Sequence, residues 1–92
     1  MKHRRTQRFF EAFKALPKAE KERARKAFRL FQQDMSHPSL HIELIEGTDG
    51  IWSGRISRKY RWTFHFEVDA KTGERVCVHR AIGPHEIVYR NP

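Results

Sequence analysis

Residues 50–64, GIWSGRISRKYRWTF, give the strongest indication of the fold. Their pattern predicts two short strands, the first over residues 51–57, joined by a tight basic turn at Arg58 and Lys59. Apolar rings alternate with polar and cationic residues along the second strand, so the two sets are expected on opposite faces of a sheet. A sheet face with several fixed arginines is poorly suited to a core but well suited to holding a phosphate.

Alternating apolar and polar residues continue on both sides of this stretch. Leu40, Ile42 and Leu44 predict a half-buried strand before it. Residues 60–68 form the second strand of the hairpin, and residues 76–82 predict a further strand. The connecting turns are short, so these strands are expected to be antiparallel.

Two amphipathic helices are predicted before the strands. Apolar residues recur at i, i+4 and i+7 within residues 6–16, which predicts a short helix. Pro17 favours the start of a second helix, expected to run to about Met35. The fold class is therefore α+β, with an N-terminal helical hairpin packed on a twisted antiparallel sheet of about four strands. A chain of 92 residues has room for one domain, residues 1–92.

The helical hairpin is expected to cover the aromatic face of the sheet. The residues assigned to packing there are Trp52, Trp62, Phe64 and Phe66. The opposite face, which carries Arg55 and Arg61, is expected to stay open to solvent.

The charge balance predicts a polyanionic partner. Lysine and arginine total 19 against 11 acidic residues, for a net charge of +8. Nucleic acid is the first expectation, an acidic protein segment the second and a membrane surface the third. Cys77 is the only cysteine, which rules out an internal disulfide and fits a reducing compartment. A buried, inert thiol is expected there, and without a signal or transmembrane pattern the expected location is the cytoplasm.

Neither a metal nor an organic cofactor is predicted. Most of the six histidines are spread along the chain without the compact spacing of a zinc site. Glycine-rich phosphate loops and paired nucleophile-base motifs are also absent from the sequence.

Four residues are candidates for a site that acts on phosphate. Arg55 and Arg61, on either side of the basic turn, can together hold a scissile phosphate, although a solvated basic hairpin explains them equally simply. His85 follows Gly83 and Pro84 and is expected on a loop, where a histidine either transfers protons or is merely exposed. Tyr89 either ends a hydrogen-bond network or packs.

Taken together, several segments resemble the RelE/ParE superfamily of bacterial type II toxins, over about Phe9 to Arg90. The segments after the helices are HPSL at 37–40, GIWSGRIS at 50–57, YRWTF at 60–64 and GPHEIVY at 83–89. The resemblance implies a small basic toxin with an α-hairpin against a twisted antiparallel sheet. Its RelE-like branch cleaves messenger RNA, usually in the ribosomal A site, without a metal. A cognate antitoxin protein wraps and inhibits such a toxin.

The resemblance also implies roles for single residues. Arg61 matches the position of an arginine that binds phosphate and stabilises the transition state in the family. Arg55 matches a basic position that contacts the phosphate backbone. His85 lies near the position that protonates the leaving 5′-oxygen, and Tyr89 near a C-terminal tyrosine of some members. The remaining cations of the turn, Arg58 and Lys59, are expected to bind RNA.

The reaction expected is attack of a ribose 2′-hydroxyl on the adjacent phosphate, giving a 2′,3′-cyclic phosphate and a 5′-hydroxyl. Pro38 lies near the place where other members have a catalytic glutamate, so the general base stays open. The candidates are Glu43, Glu46 and His65, or His85 acting alone with arginine support.

Two other functions remain open from the sequence. A ParE-like relative poisons DNA gyrase on the same fold, and a plain binding module docks RNA or an acidic protein without catalysis. Gyrase-directed relatives tend to lack the C-terminal features, so His85 and Tyr89 favour the ribonuclease.

Overall fold

The computed structural model describes all residues, 1–92, as three α-helices and a five-stranded mixed sheet. The elements are β1 (Lys2–Arg5), α1 (Gln7–Lys14), α2 (Lys18–Gln33), β2 (Glu43–Leu44), β3 (Trp52–Arg55), β4 (Tyr60–Val68), β5 (Arg75–Pro84) and α3 (His85–Arg90). A short 3-10 helix, Pro38–Leu40, precedes β2. The strand order across the sheet is β1-β5-β4-β3-β2.

The core lies between the sheet and the first two helices. Trp62 and Phe64 of β4 are completely buried, and Phe31 of α2 packs its ring edge against both. The Trp62 ring also lies directly over Gly54 of β3, where a Cβ atom would come within 2.2 Å of Trp62 Cζ3. Trp52 and Phe66 are partly buried against the same cluster. The packing predicted for these four rings is confirmed.

Both predicted helices are present, and local sequence features mark where each of them begins. The Oγ1 of Thr6 accepts a hydrogen bond from the Phe9 N–H at 3.0 Å and so caps α1. Pro17 stands immediately before α2, as its fixed φ angle favours. The pairings of β2 with β3, β3 with β4 and β4 with β5 are all antiparallel, as predicted.

The prediction of a leading helical hairpin on about four antiparallel strands is wrong in detail, because a fifth strand comes first. β1 pairs in parallel with β5, and all four of its residues are exposed. The segment is nearly all cationic and shows no apolar alternation, so no local pattern marks it as a strand. Its pairing depends on β5, more than 70 residues away along the chain.

The strand predicted over residues 40–44 is also mostly wrong. Leu40 belongs to the 3-10 helix and is 1% exposed, and His41 takes a left-handed conformation with φ of 46°. Pro38 starts this turn, and the Nδ1 of His37 accepts the Ser39 N–H at 3.2 Å. These local bonds stop the extended pairing that the alternation suggested, and only β2 remains.

The face predicted to stay open is partly covered. His85 begins α3 and does not lie on a loop, and α3 folds back over β4 and β5. Val88, 2% exposed, holds it there beside Gly83. Six residues are too few for a clear periodic signal, so the helix depends on this packing. None of the helices has the length and apolar character needed to span a membrane.

Candidate functional site

Two arginines face each other across β3 and β4. Arg55 and Arg61 are direct register partners. Partners in an antiparallel pair project from the same face, with Cβ atoms about 4.5–5.5 Å apart. Neither guanidinium forms an ion pair with a carboxylate. Like charges placed opposite one another destabilise a sheet, so this arrangement favours binding of an anion.

The turn between β3 and β4 holds the Arg61 side chain in place. One terminal nitrogen, Nη1, donates to the carbonyl oxygens of Ser57 at 2.6 Å, Tyr60 at 2.9 Å and Arg58 at 3.2 Å. The rest of the planar fork keeps its donors for another acceptor, as phosphate recognition requires. Arg58 and Lys59, at the tip of the turn, are exposed.

Arg55 is bordered by further cations on the α2 side of the sheet. With Arg23 and Lys26 it lines a cleft of about 230 Å³. No hydrogen bond to another residue holds its side chain, in contrast to that of Arg61. Arg61 is therefore the positioned member of the pair and Arg55 the adaptable one.

The start of α3 is attached to the same turn. The His85 N–H donates to the Lys59 carbonyl oxygen at 2.8 Å. The preceding residue, Pro84, is the register partner of Tyr60, and Gly83 that of Arg61. His85 is half-buried and borders a cleft of about 350 Å³ with Lys59. The structure thus brings His85 to the end of the sheet that carries the arginine pair.

Tyr89 connects α3 to β3. Its ring stacks on that of His85, with centroids 6.1 Å apart and planes inclined by 21°. Its hydroxyl lies 3.2 Å from the Ser53 Oγ. Ser53 is a contact that the sequence interpretation missed. Its position two residues before Arg55 on an alternating strand is the signal that would have placed it on this face.

The structure separates the three acid–base candidates left open by the sequence. Glu43 is the register partner of Ser53, so it shares the face of the arginine pair, and it is exposed without an ion-pair partner. Glu46 lies beyond the end of β2, in the following turn.

His65 is occupied by other partners. Arg80 donates to its Nδ1 at 2.8 Å, which leaves the Nε2–H to donate to Glu67 at 2.8 Å. The bond from His65 is also the main reason that the pKa of Glu67 lies below its usual value. Thr63 and Arg80 further hold the last residue, Pro92, by its carbonyl oxygen at 2.9 and 3.3 Å. This part of the face is closed by the chain itself, and the arginine end is the part that is free.

Three solved structures have a fold similar to this one. A YoeB/ParE toxin from Agrobacterium tumefaciens superposes with a TM-score of 0.72 at 17% identity, over 92% of this chain and 99% of the other. A chain of the RelB–RelE antitoxin–toxin complex from Methanococcus jannaschii gives 0.68 at 19% identity, over 97% and 99%. The RelE–RelB complex from Pyrococcus horikoshii OT3 gives 0.64 at 19% identity, over 90% and 92%.

The chain has the RelE/ParE fold. The fold implied by the resemblance of the sequence segments is thereby confirmed. No model of a protein family matches the sequence, and no curated protein has a detectably similar sequence. The assignment of the RelE/ParE fold therefore rests on the path of the backbone and not on close sequence similarity.

Proposed function

We propose that this protein is the toxin of a type II toxin–antitoxin system and a metal-independent endoribonuclease that cleaves messenger RNA. The observation that carries this proposal is the register pairing of Arg55 with Arg61, uncompensated by any carboxylate and next to His85. Paired guanidinium groups suit a phosphate, and a neighbouring histidine suits proton transfer near neutral pH.

In the proposed reaction the ribose 2′-hydroxyl attacks the adjacent phosphorus, and the bond to the 5′-oxygen of the next nucleotide breaks. Arg61, held by the turn, binds the non-bridging oxygens and stabilises their growing charge, with Arg55 beside it. His85 gives a proton to the leaving 5′-oxygen. The products are a 2′,3′-cyclic phosphate and a 5′-hydroxyl. The nucleophile belongs to the RNA, so the enzyme needs no nucleophile of its own.

Glu43 is the general base that the sheet geometry supports best. It must take the proton of the 2′-hydroxyl, and its position opposite Ser53 places it in the row of residues next to the arginine pair. Tyr89, positioned by Ser53, supports the substrate by stacking or hydrogen bonding. Arg58 and Lys59 bind the flanking backbone of the RNA.

The partners proposed are messenger RNA, the ribosome and a cognate antitoxin, all in the cytoplasm. Two of the similar structures are RelB–RelE complexes, which supports an antitoxin that covers a toxin of this fold. The net charge of +8 supports a polyanionic substrate. We further propose that residues 1–92 act as a single domain.

The competing function on this fold is gyrase poisoning, and one experiment separates the two. Purified protein, stripped of metals with EDTA and then dialysed, is added to a ribosomal translation reaction with a defined mRNA, and the 5′ ends of the RNA are mapped. We expect discrete cuts with 5′-hydroxyl and 2′,3′-cyclic phosphate ends. The Arg55→Gln/Arg61→Gln double variant is the control and should leave the mRNA intact.

Intact mRNA, together with gyrase-dependent breaks in a parallel reaction of the protein with DNA gyrase and plasmid DNA, would show instead a gyrase poison. Intact mRNA and intact DNA, with retained RNA binding, would show a non-catalytic binding module. Either result would overturn the proposed ribonuclease.

A further inference from the structure

Three potential metal ligands meet on the helix-facing side of the sheet, where β1 runs beside β5. His3 is the register partner of Cys77, and His79 stands two residues further along β5, so the three project from one face. One ligand atom from each residue lies within 4.8 Å of those of the other two. The His3 Nδ1 and the His79 Nε2 are 3.0 Å apart, and their rings are stacked.

Two imidazoles and a thiolate are ligands that zinc and its neighbours among the divalent transition metals prefer. With Zn–N bonds of about 2.0–2.1 Å, two nitrogens on one tetrahedral ion lie about 3.3 Å apart, and with a Zn–S bond of about 2.3 Å a sulfur and a nitrogen lie about 3.6 Å apart. With the two nitrogens 3.0 Å apart and the three ligand atoms within 4.8 Å of one another, binding requires the side chains to shift toward these values. Their backbones belong to two hydrogen-bonded strands, which holds the donors in place.

His79 has a polar neighbour at only one of its two ring nitrogens. His79 is 7% exposed, and its Nδ1 is one of two buried side-chain polar atoms with no hydrogen-bond partner. The ring sits among phenylalanines, Phe9, Phe28, Phe31 and Phe64, which offer no acceptor. The Nε2 that faces His3 is therefore the only His79 nitrogen beside another polar group, and it is the nitrogen available to a shared ligand.

The two histidines of the cluster border a cleft of about 460 Å³, whereas Cys77 is completely buried and does not line it. Two cations, Arg5 and Arg25, also line this cleft. Their positive charges repel a dication. Loss of the Cys77 thiol proton lowers the charge of the site by one and so offsets part of this repulsion. The arginines also favour an anion as the fourth ligand. Three protein ligands with an open fourth position are the arrangement of a zinc site that exchanges ligands with solvent.

We propose that His3, Cys77 and His79 bind one Zn²⁺ ion, whose fourth position faces this cleft. On binding, the thiol proton of Cys77 passes to solvent and each imidazole keeps its proton on the nitrogen that does not bind. The ion lies on the face of the sheet opposite Arg55 and Arg61 and takes no part in RNA cleavage. It joins β1, an exposed edge strand, to the buried strand β5.

The test is a titration of the metal-free full-length chain with Co²⁺, followed by absorption, and with Zn²⁺, followed by thermal unfolding. We expect one equivalent of Co²⁺ and a thiolate-to-cobalt charge-transfer band, which only Cys77 can produce. Zn²⁺ at about 100 times its Kd should raise the Tm by roughly 10–20 °C.

The decisive variant is His3→Gln, because His3 is exposed and glutamine keeps a polar group that can bond to His79. We expect affinity to fall by more than roughly 100-fold, because loss of a group that only hydrogen-bonds a ligand costs about 10- to 100-fold. His41→Asn, at an exposed histidine away from the cluster, is the matched control and should bind like the wild type. Cys77→Ser should abolish the charge-transfer band.

No charge-transfer band, no stabilisation by Zn²⁺, or equal binding by His3→Gln and the wild type would each overturn the site. If Cys77→Ser does not fold, the His3→Gln comparison still decides. The titration contains no RNA, so its outcome is independent of the ribonuclease proposal.

Discussion

The Lys59 carbonyl oxygen accepts the His85 backbone N–H at 2.8 Å, and this bond connects the basic turn to the first residue of α3. Lys59 and His85 are 26 positions apart in the chain but belong to one end of the sheet. A group proposed to donate a proton is thereby attached to the loop whose carbonyl oxygens position Arg61. The candidate site is thus one connected unit, and its parts can be tested separately.

His85→Gln should slow RNA cleavage by about 100- to 10,000-fold, the usual contribution of a general acid. RNA affinity should change little, since glutamine keeps the size and polarity of the side chain. Single-turnover cleavage of ribosome-bound mRNA measures the rate, with His41→Asn as a control. Wild-type rates in the His85 variant would remove it from the mechanism.

Arg61→Gln should lower cleavage by about 100- to 1,000-fold, because it removes a positioned donor for the transition-state charge. The slope of log affinity against log salt should also fall by roughly one phosphate contact. Arg29→Gln, at an exposed position of α2, removes the same charge and should leave cleavage unchanged. Equal effects of the two substitutions would indicate that only net charge matters.

Glu43→Gln tests the general base. If Glu43 takes the 2′-hydroxyl proton, the rate should fall by about 100-fold or more, and the acidic limb of the pH–rate profile should disappear. Glu46→Gln, in the next turn, is the matched control and should keep both the rate and the profile. An unchanged pH–rate profile in Glu43→Gln would show that Glu43 is not the base, and His85 or the substrate itself would remain as candidates.

Gly54→Ala should destabilise the fold by about 1–3 kcal/mol, as overpacking of a tight core does. The new Cβ would come within 2.2 Å of the Trp62 ring, which is fully buried and has no room to move. Gly83→Ala is the control, because its Cβ would meet Val88 Cγ2 at an ordinary 3.7 Å. Urea unfolding of both variants measures the difference, and equal midpoints would contradict the packing described.

Asp69 should make stability depend on pH at the acidic end. The Lys71 backbone N–H, followed by the Lys2 ammonium group and the Thr72 N–H, lowers the pKa of Asp69 below its ordinary value of 3.8. A carboxyl group with a lowered pKa in the folded state stabilises the fold above its ordinary pKa, and this contribution is lost as the pH falls through the lowered value.

Asp69→Asn should therefore be less stable than the wild type at neutral pH, and the difference should shrink as the pH falls well below 3.8. Urea midpoints at a series of pH values measure it. Asp49→Asn, at an exposed carboxylate in another turn, is the control. A constant difference between Asp69→Asn and the wild type at all pH values would show that the side chain acts only through its shape.

Local side-chain patterns along the chain were enough to predict part of the fold. The alternation along residues 60–68 placed β4 and its buried rings correctly, because neighbouring side chains of a strand point to opposite faces. The apolar spacing of the first two helices and Pro17 placed them within a few residues. The excess of positive charge is likewise a property of composition alone.

Contacts between residues far apart in the chain became visible only in the folded protein. β1 has no apolar pattern and becomes a strand because β5 offers it an edge, which brings His3 to Cys77 and His79. Glu43 reaches the arginine face through the register of β2, and α3 is held by the burial of Val88. Register and docking depend on contacts between segments far apart in the chain, whereas periodicity within one segment carries no information about its partner.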